Sequence, residues 1–390
     1  MNTYQEAANI FTYTQTLRRD FHIHPEVGFN ELRTSKIVAQ ELKNLGINVK
    51  PSVGKTGVVG LLEGNKKFPV LLLRFDMDAL PINEENSTEY VSQHPGIMHA
   101  CGHDGHTAIG LTVAKILNQH KSRLNGSVKL VFQPAEELLI GARAMIEDGV
   151  LEDPKPDFAL GVHLWNEKPV GWFGITPGPI MAGADRFTIR VIGSGGHGAN
   201  PHLVNDPIIA SGHILTAIQS IVSRNVPPLE NAVLSVTKIQ GGNSFNIIPP
   251  FVDLAGTIRT FKLNVHDLVI QRLISIVEGV ASSFGCQVDI NIEPLTMPVV
   301  NDEHIAEVVQ RTARELFENV LIDSKYISSV SEDMSFFMQN IPACFLLVGS
   351  SNKFNKLDFP HHHPRFDFDE LSLPLAVGLL AKAVIEIINN

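Results

Sequence analysis

Val70-Leu71-Leu72-Leu73-Arg74-Phe75-Asp76-Met77-Asp78 is the stretch whose reading decides the fold. Val70–Phe75 forms a short strand that is apolar on both faces, as expected for a sheet covered by helices on each side. It runs straight into two carboxylates. Working outward, Val58–Leu62, Val128–Phe132 and Phe158–Val162 are further short apolar strands. Between and before them, Thr34–Leu45, Thr107–Gln119 and Ala142–Asp148 carry helical signals, two of them closed by Gly46 and Gly149. Residues 4–21 read as an amphipathic helix stopped by Pro25, with Arg18-Arg19 as its solvated end. Alternating helices and strands predict an α/β fold.

The texture changes near residue 180, where Pro177-Gly178-Pro179 breaks the chain. Beyond it come a strand (Phe187–Ile192), a helix (Pro207–Ser223), two strands (Ala232–Ile239, Phe251–Thr260), a helix (Asp267–Ser283) and a strand (Gln287–Ile292). That β-α-β-β-α-β order predicts a ferredoxin-like insert. After Pro298 the α/β texture resumes, with helices His304–Asn319, Met334–Gln339 and Leu373–Ile387 and the strand Cys344–Val348. The expected organisation is a discontinuous domain, residues 1–182 and 296–390, interrupted by an inserted domain of residues 183–295.

Composition sets bounds. The chain has 390 residues, 44% of them hydrophobic, enough for a sizeable core. Its 31 basic and 41 acidic side chains give a net charge of −10, which argues against a nucleic-acid partner. Three widely spaced cysteines are not a disulfide framework and point to a reducing compartment. With no apolar leader at the start, a cytoplasmic location is the expectation. No run approaches the ~20 apolar residues of a membrane span, so no membrane partner is expected.

The polar residues at strand ends carry the chemistry. Strand 70–75 leads to Asp76 and Asp78, strand 128–132 to Glu136-Glu137, strand 158–162 to His163, and strand 344–348 through a loop to His361-His362-His363. Met98-His99-Ala100-Cys101-Gly102-His103-Asp104-Gly105-His106-Thr107-Ala108 adds a thiol and imidazoles on a loop before a helix. Sites in open α/β sheets form beyond the carboxyl ends of strands. Taken singly, several of these residues suit turns, caps or core packing; converging on one edge, they suggest a metal cluster. A Cys, Glu and three His exceed the four ligands of one tetrahedral zinc, so two divalent ions fit better. One of the paired glutamates can then bind metal while the other serves as general acid/base. Two other motifs fail. Gly193-Ser194-Gly195-Gly196-His197-Gly198 does not open into a helix, and Gly54-Lys55-Thr56 lacks the glycine a phosphate loop needs at position 49.

These residues resemble a known family, the dinuclear metallo-amidohydrolases and peptidases of the aminoacylase/carboxypeptidase type. The likeness is strongest to hippurate hydrolases, N-acyl-L-amino-acid amidohydrolases and auxin-conjugate hydrolases. It is carried by His22-Ile23-His24-Pro25-Glu26, Arg74–Pro81, Met98–Ala108, Phe132–Glu137, Gly161-Val162-His163, Gly195–Ala199, Gly242–Pro249, Gly256–Thr260, Ser331-Glu332-Asp333 and His362–Phe366, in order along nearly the whole chain.

The resemblance implies a mixed sheet flanked by helices, with the insert as a lid or dimerisation domain. It implies that Cys101, His103, Glu137, His163 and His362 bind two divalent ions; by donor chemistry, a thiolate favouring softer ions and carboxylates tolerating Mn, these are expected to be Mn or Zn, with Co or Ni as alternatives. It makes Glu136 the general base, gives His197 the oxyanion, sets Asp78 behind the ligands, and makes Asn246 and Arg259 substrate contacts. Asp76-x-Asp78 and a thiolate at position 101 stand where the wider family has His-x-Asp and a bridging aspartate, so that family's metal preference and peptide specificity do not transfer. The expected activity is hydrolysis of N-acyl (N-acetyl, N-benzoyl or similar) L-amino acids by a metal-activated water. A metallopeptidase acting on short peptides and a non-catalytic metal-binding module are the competing readings, and homo-oligomerisation is left open.

Overall fold

The computed structural model describes residues 2–389. By contacts the chain divides into two compact units. One comprises the chain up to Ile180, Val300–Ile327 and the chain from Asp333 onward; the other comprises Met181–Val299 with Ser328–Glu332.

The first unit is built on a mixed eight-stranded sheet. Its order is Asn48–Val53, Gly57–Glu63, Ser127–Gln133, Val70–Asp76, Phe158–Pro169, Ala343–Ser351, Trp172–Gly174 and Leu321–Asp323. The central strands Ser127–Gln133, Val70–Asp76, Phe158–Pro169 and Ala343–Ser351 run parallel, so their carboxyl ends share one edge. Val70–Asp76 is buried at all seven positions, as its two-faced apolarity requires. The helix His103–Gln119 lies close on the sheet: a Cβ at Gly110 would stand 2.6 Å from the Phe75 ring, so glycine is what allows this approach. By length and composition the C-terminal helix Ser372–Asn389 is long and apolar enough to cross a membrane. It is 72% buried within the fold and is read as a core helix.

Three elements differ from their sequence expectation in ways that matter to the site. The helix expected from Thr107 begins at His103, because Gly102, at φ +92°, turns the chain so that the helix starts earlier. Cys101 and His103 therefore flank a helix start instead of sharing a loop. The Phe158 strand does not stop at Val162 but continues to Pro169, placing His163 inside the ladder, opposite Leu347. The first helix is broken at Ile10 into Thr3–Asn9 and Phe11–Ile23.

In the second unit four antiparallel strands are ordered Ala232–Gln240, Phe251–Thr260, Gly183–Ile192, Gln287–Thr296. With the helices Pro207–Ala217 and Leu263–Ser283 they give the β-α-β-β-α-β order. Phe187, Ile189 and Val191 alternate into a core with Ile214, Val269, Leu273 and Val277. The intervening Arg186 and Arg190 face solvent, and Arg190 pairs with Asp253 at 2.7 Å. This is the period-two pattern of a sheet with one covered face.

Candidate metal centre

At the shared strand edge of the first unit, five donor side chains converge from distant parts of the chain. Cys101 Sγ lies 3.5 Å from His163 Nε2. Cys101, His103 and His163 present donor atoms all within 4.8 Å of one another, and so do Cys101, Glu137 and His362. The thiol thus belongs to both triads. A third grouping joins His103 with Glu136 and Glu137, whose carboxylate oxygens stand 4.0 and 3.9 Å from His103 Nε2.

Two of the three imidazoles are pinned on their far side. His163 Nδ1 donates to the Leu164 carbonyl at 2.7 Å, which leaves Nε2 as the lone-pair atom facing Cys101. His103 Nδ1 bonds the Asp78 carbonyl at 2.9 Å and lies 3.2 Å from its carboxylate, while His103 Nε2 is buried with no hydrogen-bond partner. Glu137 Oε1 is likewise buried without one, although His362 Nε2 stands 3.3 Å away. Ring nitrogens oriented from behind and left bare in front are how metal-binding histidines are held. His362 adopts a left-handed backbone, φ +65°, with its N–H donating to the Ala100 carbonyl at 2.8 Å. Such a conformation in a non-glycine residue is a strain stored where geometry matters. Of its neighbours, His361 turns inward to the Leu164 carbonyl and His363 stacks on Phe359.

The electrostatics ask for cations. Burial alone would lower the His103 pKa, but Asp76, Asp78 and Glu137 outweigh it and raise it to about 10. Burial, reinforced by Glu137 and Glu136, pushes the Cys101 thiol well above its ordinary range. Without a cation, this cluster must retain protons to offset its carboxylates. Sulfur, nitrogen and carboxylate donors in this arrangement fit a pair of divalent ions.

The loop carrying Glu136-Glu137 and the start of the helix that follows it are held by three carboxylates, each accepting one backbone N–H. Glu31 takes Ala135 at 2.8 Å, Asp78 takes Glu137 at 3.0 Å, and Asp333 takes Ala142 at 2.9 Å. Ala135 sits at φ +51°, a conformation this harness holds in place. Asp78 therefore supports both His103 and Glu137. Asp78→Ala is expected to weaken divalent-ion binding by about 10–100-fold, measured by calorimetric titration of the metal-stripped protein; unchanged affinity would remove Asp78 from the support.

A second buried network was not anticipated. Arg18 is not a solvated helix end; it is fully buried, with Nε on Asp104 at 2.8 Å, Nη2 on Asp367 at 2.7 Å and Nη1 on Glu370 at 3.3 Å. His22 Nδ1 bonds the same Asp104 at 2.7 Å, and its Nε2 lies 3.2 Å from Glu84. The partners are scattered along the chain, so no local pattern announces them. Arg18→Met leaves these carboxylates buried without their cation and should cost about 3–5 kcal/mol, read as a lower denaturant midpoint at unchanged slope.

The same network predicts a pH dependence. Burial and Arg18 would lower the His22 pKa, but Asp104 and Glu84 raise it to about 9, above the 6.5 of the unfolded chain. The folded state thus holds the proton more tightly. The stabilisation from His22 is complete below pH 6.5 and is lost as pH rises through about 9. Denaturation of the metal-stripped protein should show a falling midpoint across that window, and His22→Gln should flatten it.

In the second unit, His197 lies in a short ladder opposite Ile247, its Nδ1 accepting from Ala199 N at 3.0 Å. Asn246 is exposed, with Oδ1 accepting from Ser244 Oγ at 2.7 Å. Arg259 is half-buried and donates to Ser331 Oγ, and burial lowers its pKa.

Fold and donor set together define an α/β protein with a candidate two-ion metal centre. The family model for peptidase family M20/M25/M40 matches residues 72–386. The chain is 37% identical over 374 residues to the N-acetyl-L-cysteine deacetylase of Bacillus subtilis, covering 96% of this chain and 88% of that protein. It is 37% identical over 379 residues to IAA-amino acid hydrolase ILR1-like 4 of Arabidopsis thaliana, covering 96% and 85%. The crystal structure of the Bacillus subtilis YXEP protein, described as a dinuclear metal-binding peptidase from the M20 family, is 33% identical with a TM-score of 0.87, covering 98% and 99%. The chain belongs to peptidase family M20/M25/M40.

Proposed function

We propose that this protein hydrolyses the amide bond of N-acyl L-amino acids, releasing a carboxylic acid and a free amino acid. One observation carries the reading: two donor triads share Cys101, and Glu136 stands beside them without being needed by either. In this reading Cys101, His103 and His163 would hold one divalent ion, and Cys101, Glu137 and His362 the other. When bound, the ions polarise the substrate carbonyl and lower the pKa of water towards about 7. Glu136 accepts the proton of the attacking water and delivers it to the leaving amine. His197 donates to the developing oxyanion, Asn246 contacts polar groups of the substrate and Arg259 its carboxylate; the inserted domain acts as a lid. The two curated relatives are named for an N-acetyl amino acid and an IAA-amino acid conjugate, both N-acylated amino acids, which supports this substrate class.

Mn or Zn is the proposed metal, with Co or Ni as alternatives. The location is proposed as cytoplasmic, on the three cysteines that are all free and buried. The test is to strip the protein with chelator, restore Mn, Zn, Co or Ni singly, and follow amino-acid release from N-acetylcysteine, N-acetylmethionine and hippurate. Metal-dependent release supports the proposal. Release only from unblocked dipeptides would favour the metallopeptidase reading, which the M20 structural relative keeps in view.

A further inference from the structure

His106 stands in the same motif as Cys101 and His103, yet neither metal triad uses it. The ladder between Val70–Asp76 and Phe158–Pro169 ends at the pair Arg74 and Gly161. Leu164, three residues on, stays paired with Val348 of the neighbouring strand. On its remaining bonds, side chains replace a strand. Leu164 N–H donates to His106 Nε2 at 2.8 Å. The Leu164 carbonyl accepts from His163 Nδ1 at 2.7 Å and from His361 Nε2 at 3.0 Å. Because His106 Nε2 accepts, its proton sits on Nδ1, which donates to Asp76; Asp76 is in turn held by Arg74. Although His106, Asp76 and His103 cluster closely enough to suggest a further ion site, both His106 nitrogens are committed.

We propose that His106 is a positioning residue for His163, acting through the backbone of Leu164. It fixes Leu164, whose carbonyl then selects the His163 tautomer that turns Nε2 toward Cys101. This rests on the reading of His163 as a metal donor.

Two near-isosteric variants separate the bonds. His106→Gln places its amide oxygen where Nε2 accepted from Leu164. His106→Asn reaches only toward Asp76. In calorimetric titration of metal-stripped protein with Mn2+, His106→Asn should weaken one of the two binding events by about 10–100-fold. His106→Gln should stay near the native value, and His163→Ala should lose that same event. Equal behaviour of the Gln and Asn variants, whether both native or both weakened, overturns the proposal. Two native binding events in His163→Ala would overturn the ligand reading beneath it. Long-range proton–nitrogen NMR on the native protein gives a check independent of how any variant folds: His106 and His163 should both be Nδ1–H tautomers, and an Nε2–H His106 overturns the proposal.

Discussion

Glu136→Gln is expected to lower kcat for N-acyl amino acid hydrolysis by about 10²–10⁴-fold while leaving divalent-ion content unchanged. Glu136 is 6% exposed and lies beside Glu137 on a turn that, with the helix start after it, is fixed by Glu31, Asp78 and Asp333. The amide keeps its size and removes only the proton acceptor. Neither triad built on Cys101 counts Glu136 among its donors, so both ions should remain at native affinity. The separation between turnover and metal content is the diagnostic. Loss of an ion in parallel with activity would make Glu136 a ligand, and a native kcat would place the base elsewhere.

Cys101→Ala is expected to produce the opposite pattern, with both ions lost together and hydrolysis reduced to background. Each triad keeps only two protein donors once the shared thiol is gone. Four protein ligands are usual in structural zinc sites and three in catalytic ones, so two hold an ion poorly. The expected measurement is metal per chain after equilibrium dialysis against buffered Zn2+, beside a circular dichroism melt showing that the variant folds. Retention of one ion at native affinity would show that the thiol serves a single site.

The chain's arithmetic made part of this legible. Apolar strands ending in Asp, Glu and His reveal a site edge because a short run that is apolar on both faces has few other places to be. The strands through Asp76, Gln133 and Ser351 are buried at every position. Boundaries were harder where a single glycine or a neighbouring strand decided them. Gly102 starts the helix at His103, and pairing with Ala343–Ser351 draws the Phe158 strand on past His163. The Arg18 network stayed hidden for another reason. Its partners lie 86, 349 and 352 residues away, and an arginine at the end of an amphipathic helix looks the same in sequence whether water or buried carboxylates surround it. His106 likewise looks like a further ligand until both of its nitrogens are seen to be bonded.

The proposed function requires two divalent ions, which Cys101, His103, His163, Glu137 and His362 would hold. Its most direct test titrates the metal-stripped protein with Mn2+ or Zn2+ while following release of the amino acid from an N-acyl substrate. The account predicts no turnover without metal and full turnover only as the second equivalent per chain binds. Undiminished hydrolysis by the metal-free protein would contradict it.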